Sequence, residues 1–179
     1  MKHKFLLIFS TIVLIGLVSG IIIFSESQDQ KPEYRVSVTN SSLVDQNTFE
    51  FDLLIQAYED SFELTSYQCA LYVWERLKET DSLSCSYVEG SSEISLLPNA
   101  AFSFDGSGDL PLIAFGSFPG NEMITTSSKK LGRIRIKSTK PFKSEPILEW
   151  NFKGEIRTIL TGKSFSEITV NTQHIVTGD

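Results

Sequence analysis

The chain has 179 residues, 41% of them hydrophobic, and a formal net charge of −6. That length suits one domain with a core of its own, so no disulfide scaffold is needed to hold it. The acidic balance has the wrong sign for a nucleic-acid binder, which needs a basic surface.

The first element is a targeting segment. Lys2 and Lys4 precede Phe5–Phe24, a run of twenty residues without a charge. Twenty apolar residues match the thickness of a bilayer core. Lysines before the run and Glu26 and Asp29 after it place the N-terminus in the cytoplasm and the remainder outside. Val18-Ser19-Gly20 also offers a small-residue cleavage site, so residues 1–24 read as either an uncleaved anchor or a cleaved signal peptide. Both readings export the rest: an inner-membrane-anchored domain in one case, a periplasmic or secreted one in the other. No Cys stands beside Gly20, so a lipoprotein anchor is not expected. Residues 25–33 are polar and read as a linker, and residues 34–179 as one domain.

Beyond the linker the dominant period is two, the signature of half-buried strands. In "TFEFDLLIQA", Phe49, Phe51, Leu53, Ile55 and Ala57 share one face, while Glu50, Asp52 and Gln56 share the other. "LTSYQCALYVW" is apolar on both faces, which suits a central strand or a strand whose second face carries a site. "WERLKETD", Trp74 to Asp81, has a brief helical pattern. "SYVEG", "SEISLL", "AFSF" and "LPLIAF" follow as short strands. "LGRIRIKST" alternates Ile134 and Ile136 with Arg133, Arg135 and Lys137. "ILEWNF" sets Leu148, Trp150 and Phe152 inward, and "EIRTILT" and "EITV" close the pattern. Turn signals such as Asp105-Gly106-Ser107-Gly108-Asp109 and Phe118-Pro119-Gly120-Asn121 separate these runs. Eight to eleven strands without a long helix predict an all-β fold, an antiparallel β-sandwich or jelly roll.

Catalytic chemistry is sparse. His174 is the one histidine beyond the leader, no Ser/His/Asp or Cys/His set is legible, and the expectation is a protein that is not an enzyme. Asp105 and Asp109 flank a glycine-rich turn that reads as a hairpin, with a weak calcium site as the alternative and no other cofactor expected. Cys69 and Cys85 would meet an oxidising compartment, so they stand either as a disulfide or as two buried thiols. Tyr72 and Trp74 point the same way, either as an exposed stacking platform or beneath a covering segment, and burial is the expected state.

Charge is also segregated. Ser25 to Ser128 has 4 basic and 17 acidic residues, a balance of −13, while Lys129 to Lys163 has 10 basic and 3 acidic, a balance of +7. Arg133, Arg135 and Lys137 therefore form either a surface for an anionic partner or one side of cross-strand pairs with Glu50 and Asp52, and pairing is expected.

The stretches "EFDLLIQAYEDSFELTSYQCALYV", "SYVEGSSEI", "NAAFSFDG", "LGRIRIKSTKPF" and "ILEWNFKGEIRT", in that order, resemble a β-sandwich domain found at the N-terminus of bacterial surface proteins exported by the type IX pathway. That domain is similar to cohesin and carbohydrate-binding-module sandwiches. The resemblance covers about Tyr34 to Val176. It implies a jelly-roll or cohesin-like sandwich with a binding or surface role and brings no catalytic signature. Proteins of that type usually carry a separate C-terminal sorting domain, for which the residues after Val176 leave no room, so the apolar start is the expected localisation device. The expected function is an exported, non-catalytic envelope module that holds a protein or glycan partner. The alternative is a structural or assembly component of the envelope without a small ligand.

Overall fold

A computed structural model describes residues 31–74, 83–94, 103–105 and 111–177, all within the unit Lys31–Asp179. The side chains of residues 103–105 are outside that description. The segment read as briefly helical lies outside it beyond Trp74, as does Asp109 of the calcium expectation.

Alternation dictates the strands. β1 (Tyr34–Asp45) and β2 (Thr48–Ala57) form a hairpin. β2 buries the whole predicted face, from Phe49 to Ala57. Each of its large apolar side chains contributes roughly 1.5–3 kcal/mol by leaving water. β3 (Phe62–Leu64) leads into β4 (Ser66–Trp74), which sets Tyr67, Cys69, Leu71 and Val73 inward. β5 (Leu83–Tyr87), β6 (Ser103–Asp105), β7 (Leu112–Ser117) and β8 (Glu122–Ile124) follow. The "LGRIRIKST" stretch lies in β9 (Lys129–Ser138), with Leu131, Ile134 and Ile136 inward. β10 (Ile147–Trp150), β11 (Ile159–Thr161) and β12 (His174–Val176) complete the chain.

These strands form two five-stranded sheets and a small pair. The first sheet runs β12-β1-β2-β9-β5; the second runs β10-β4-β7-β6, with β11 also on β4; β3 pairs with β8. One continuous apolar core joins residues of both sheets, which is the layered packing of a sandwich. The fold is therefore all-β, as expected. One pairing departs from the antiparallel expectation: β12 lies parallel to β1, with Val36 opposite His174. A parallel neighbour cannot be joined by a tight hairpin, and the chain reaches β12 from β11 in the other sheet rather than from β1. A second departure concerns "SEISLL", whose described part, Ser92–Ile94, is not strand. Glu93 N–H bonds to Lys130 O at 2.9 Å, and Lys130 N–H bonds to the Glu93 carboxylate at 2.7 Å. The segment thus skirts β9 without joining its ladder.

β10 and β11 occupy one edge of β4, interrupted by residues 151–158. That excursion closes on Ala70: its carbonyl accepts from Asn151 N–H at 2.8 Å and from the Thr158 hydroxyl at 3.1 Å. Ile156 then packs with Tyr72 over Ala70, Leu112 and Ala114, giving the second sheet a small outer apolar cluster.

Register also defines two ends. Tyr34 pairs with Ala57, Ser66 with Thr161, and Tyr67 with Ser117, so the strands meet there at the end where the chain enters. Asp45 pairs with Thr48, Leu83 with Ser138, and Trp74 with Ile147 at the far end.

Candidate binding surface

The outer face of the first sheet carries the cationic ladder. β2 and β9 pair with Glu50 opposite Arg135 and Asp52 opposite Arg133. Directly opposed residues share a face, so acid and base meet. Arg133 Nε lies 2.6 Å from Glu50 Oε2 and its Nη1 3.0 Å from Asp52 Oδ1. Arg135 Nε lies 2.5 Å from Glu50 Oε1, and Lys130 Nζ 3.1 Å from Asp52 Oδ2. The Asn40 amide donates to Asp52 Oδ2 at 2.9 Å. Glu50 is 6% exposed and Asp52 2%, so the carboxylates lie beneath their partners. Burial pushes both carboxyls up, but the arginines at Glu50, and Asn40, Lys130 and Arg133 at Asp52, outweigh it and hold both below the ordinary range. Arg133 is held above its usual value, first by its hydrogen bond to Glu50. Arg133 and Arg135 are thus engaged by their own domain. Lys137 is separate from them, exposed beside the β1–β2 turn, where it helps hold the Asp45 carboxyl low after the Asn47 N–H bond.

Of the two states open to the cysteine pair, the structure has the unbonded one. Cys69 and Cys85 are both free thiols. They sit on β4 and β5, in different sheets, and each packs into the core as a small apolar group. Burial pushes the Cys85 thiol up to about 12 and raises Cys69 as well, so neither forms a ready thiolate.

His174 stands where the parallel edge strand begins. Tyr34, Trp150 and Phe152 enclose its ring, with centroids 5.7, 5.0 and 5.1 Å away. Nδ1 lies 3.0 Å from Val170 O, and a carbonyl only accepts, so Nδ1 carries the proton. Nε2 is buried without a partner. Burial lowers the pKa to about 4, against the smaller upward pull of the Val170 bond. The ring is a neutral packing element facing three aromatic rings.

The outer face of the second sheet is different. Tyr72 and Trp74 share that face, but their surroundings separate them. Tyr72 is half-buried in the outer cluster with Ile156. Trp74 departs from the expected burial and is 46% exposed. Opposite it across the ladder stands Ile147, 68% exposed. Glu149, opposite Tyr72, accepts the Trp74 indole N–H at 2.7 Å, which fixes the ring's orientation without covering it. An indole, an aliphatic side chain and a carboxylate therefore meet on one wet sheet face. Ile147 and Glu149 were not singled out from the sequence. Their alternation with Leu148 signals an outward direction, but only the register with β4 sets them beside Trp74.

Among the described residues, no group of three or more His, Cys, Asp or Glu is placed to hold a metal ion. A void of about 10 Å³ lies between the sheets, lined by Leu53, Tyr67, Tyr87, Phe115, Leu131 and Ile134 among others, with room for no more than a water.

No family model matches the chain, and no curated protein matches it. Among solved structures the chain is similar to a biomass-sensing module of an Rsgi-like protein of Clostridium thermocellum, described as resembling the family 3 carbohydrate-binding module of the cellulosome. That match has a TM-score of 0.44 and 11% identity over 75% of this chain and 95% of the other. It is also similar to the second type II cohesin module of the cellulosomal adaptor ScaA scaffoldin of Acetivibrio cellulolyticus, with a TM-score of 0.42 and 10% identity over 84% and 95%.

Proposed function

We propose that this protein is an exported, non-catalytic envelope module, anchored by residues 5–24, that holds a protein partner on the outer face of its second sheet. The carrying observation is the exposed pair Trp74 and Ile147, with the indole oriented by Glu149. Partners commonly anchor on a pre-oriented aromatic beside an aliphatic group, because such a pair loses little entropy on binding. An aliphatic neighbour adds little to sugar stacking, which favours a protein over a glycan. Glu149 supports the second reading, since its carboxylate can accept sugar hydroxyls beside the indole face.

The test compares wild type with Trp74→Ala in capture from envelope extract and on a glycan array. A central aromatic anchor contributes about 2 kcal/mol or more, so capture should weaken at least about 30-fold. Binding unchanged by both Trp74→Ala and Ile147→Ser would exclude this face. Array signal without protein capture would favour the glycan.

A further inference from the structure

We propose that the entry end of the sandwich is a lipid-contacting surface, with Phe118 and Phe165 dipping into the interfacial layer of a bilayer. Two loops meet there on Thr65. The Thr65 carbonyl accepts Gly120 N–H at 3.1 Å, fixing the loop that carries Phe118. The Thr65 hydroxyl donates to Gly162 O at 2.7 Å, and Thr65 N–H bonds to Thr161 O at 2.8 Å, fixing the tip that carries Phe165. Phe118 is 75% exposed and Phe165 65%. Phe165 and its neighbour Ser164 have φ of 59° and 57°, a left-handed conformation that bulky residues rarely adopt. The tip thus holds a large apolar side chain out in water through an unfavourable backbone, which points to a contact made there. Exposed Tyr58 and Met123 lie at the same end, on the segments beside β2 and β3. Four of the eight exposed large hydrophobics among the described residues are therefore gathered where the chain enters.

The length of the chain before the domain identifies the occupant. Lys31 Nζ donates to Thr169 O at 2.9 Å, and Thr169 stands on the return arm of the hairpin whose tip is 162–166. Six residues, 25–30, separate Lys31 from the apolar run 5–24. Even fully extended they reach only about 20 Å. A bilayer holding residues 5–24 is then within reach of this end. Aromatic side chains are favoured in the headgroup layer.

This inference rests on the anchor reading of residues 5–24, and one experiment separates the two. The full chain is reconstituted into vesicles of equal parts phosphatidylethanolamine and phosphatidylglycerol and floated. A spin label is placed at Ser164→Cys or, at the far end, at Val44→Cys, with wild type as the blank for the native thiols. Collision with oxygen and with a nickel chelate then reads depth. The expected result is flotation with an oxygen-to-nickel ratio several-fold higher at Ser164→Cys than at Val44→Cys. Phe118→Ser with Phe165→Ser should abolish the difference while leaving the melting temperature unchanged, since both rings are exposed. Failure to float overturns the anchor reading and this inference with it. Flotation with equal ratios overturns the lipid contact alone. A difference that vanishes on dilution with lipid would assign the surface to a second copy of the chain and also overturn the lipid contact.

Discussion

Acidification from pH 7 to pH 5 should unload stability through His174. In the unfolded chain its imidazole titrates at the ordinary 6.5; in the folded domain burial lowers it to about 4. Between those values the unfolded chain takes a proton that the native one refuses. The folded state therefore has its full stability above 6.5 and loses it as pH falls, until both states are protonated near the folded value. Protonation of the native ring would place a second N–H at Nε2, which has no acceptor among the aromatic rings around it. Linkage arithmetic gives a loss of about 2 kcal/mol at pH 5, approaching about 3 kcal/mol near pH 4. The assay is urea unfolding of Lys31–Asp179 at pH 7, 6 and 5, followed by tryptophan fluorescence. His174→Phe keeps the ring packing and removes the titration. It should be less stable than wild type at pH 7 by about 1 kcal/mol, the ordinary worth of the lost Val170 bond. At pH 5 the order should reverse. Parallel pH profiles for the two proteins would refute the reasoning, because carboxylates shared by both cancel in the comparison.

The carboxylate–guanidinium lattice should be structural. Glu50→Gln leaves Arg133 and Arg135 short of a charge above a buried position and should cost about 2–3 kcal/mol in urea unfolding. A double-mutant cycle with Arg133→Met should show coupling above about 0.5 kcal/mol, and additive losses would mean the pair is incidental. The cysteines should be silent to reductant, which should leave the melting temperature unchanged, and a thiol reagent should modify the fully buried Cys69 only as fast as the domain opens. A lower melting temperature under reductant would show that the two are bonded.

How much of this was legible in the sequence differs by element. The alternation of β2 and β9 predicts their buried faces because a strand has one period and a sandwich has one core. The pairing of Glu50 and Asp52 with Arg133 and Arg135 follows from the same period, since opposite charges on facing strands attract at either register. The cysteines were not legible as to bonding, because bonding depends on the separation and direction of two side chains carried by β4 and β5, which no local pattern encodes. His174 was legible only as the one histidine beyond the leader, because its aromatic cage assembles from β1 and the β10 region and has no local signal. Tyr72 and Trp74 are two residues apart on one face, yet the excursion at 151–158 covers Tyr72 and leaves Trp74 in water. Periodicity, set by the chain's own geometry, determined which side of each strand is apolar. Which outer faces stay wet, and which exposed side chains meet at the two ends, only the tertiary structure decided, because those depend on strand order and on loops that cross from one sheet to the other.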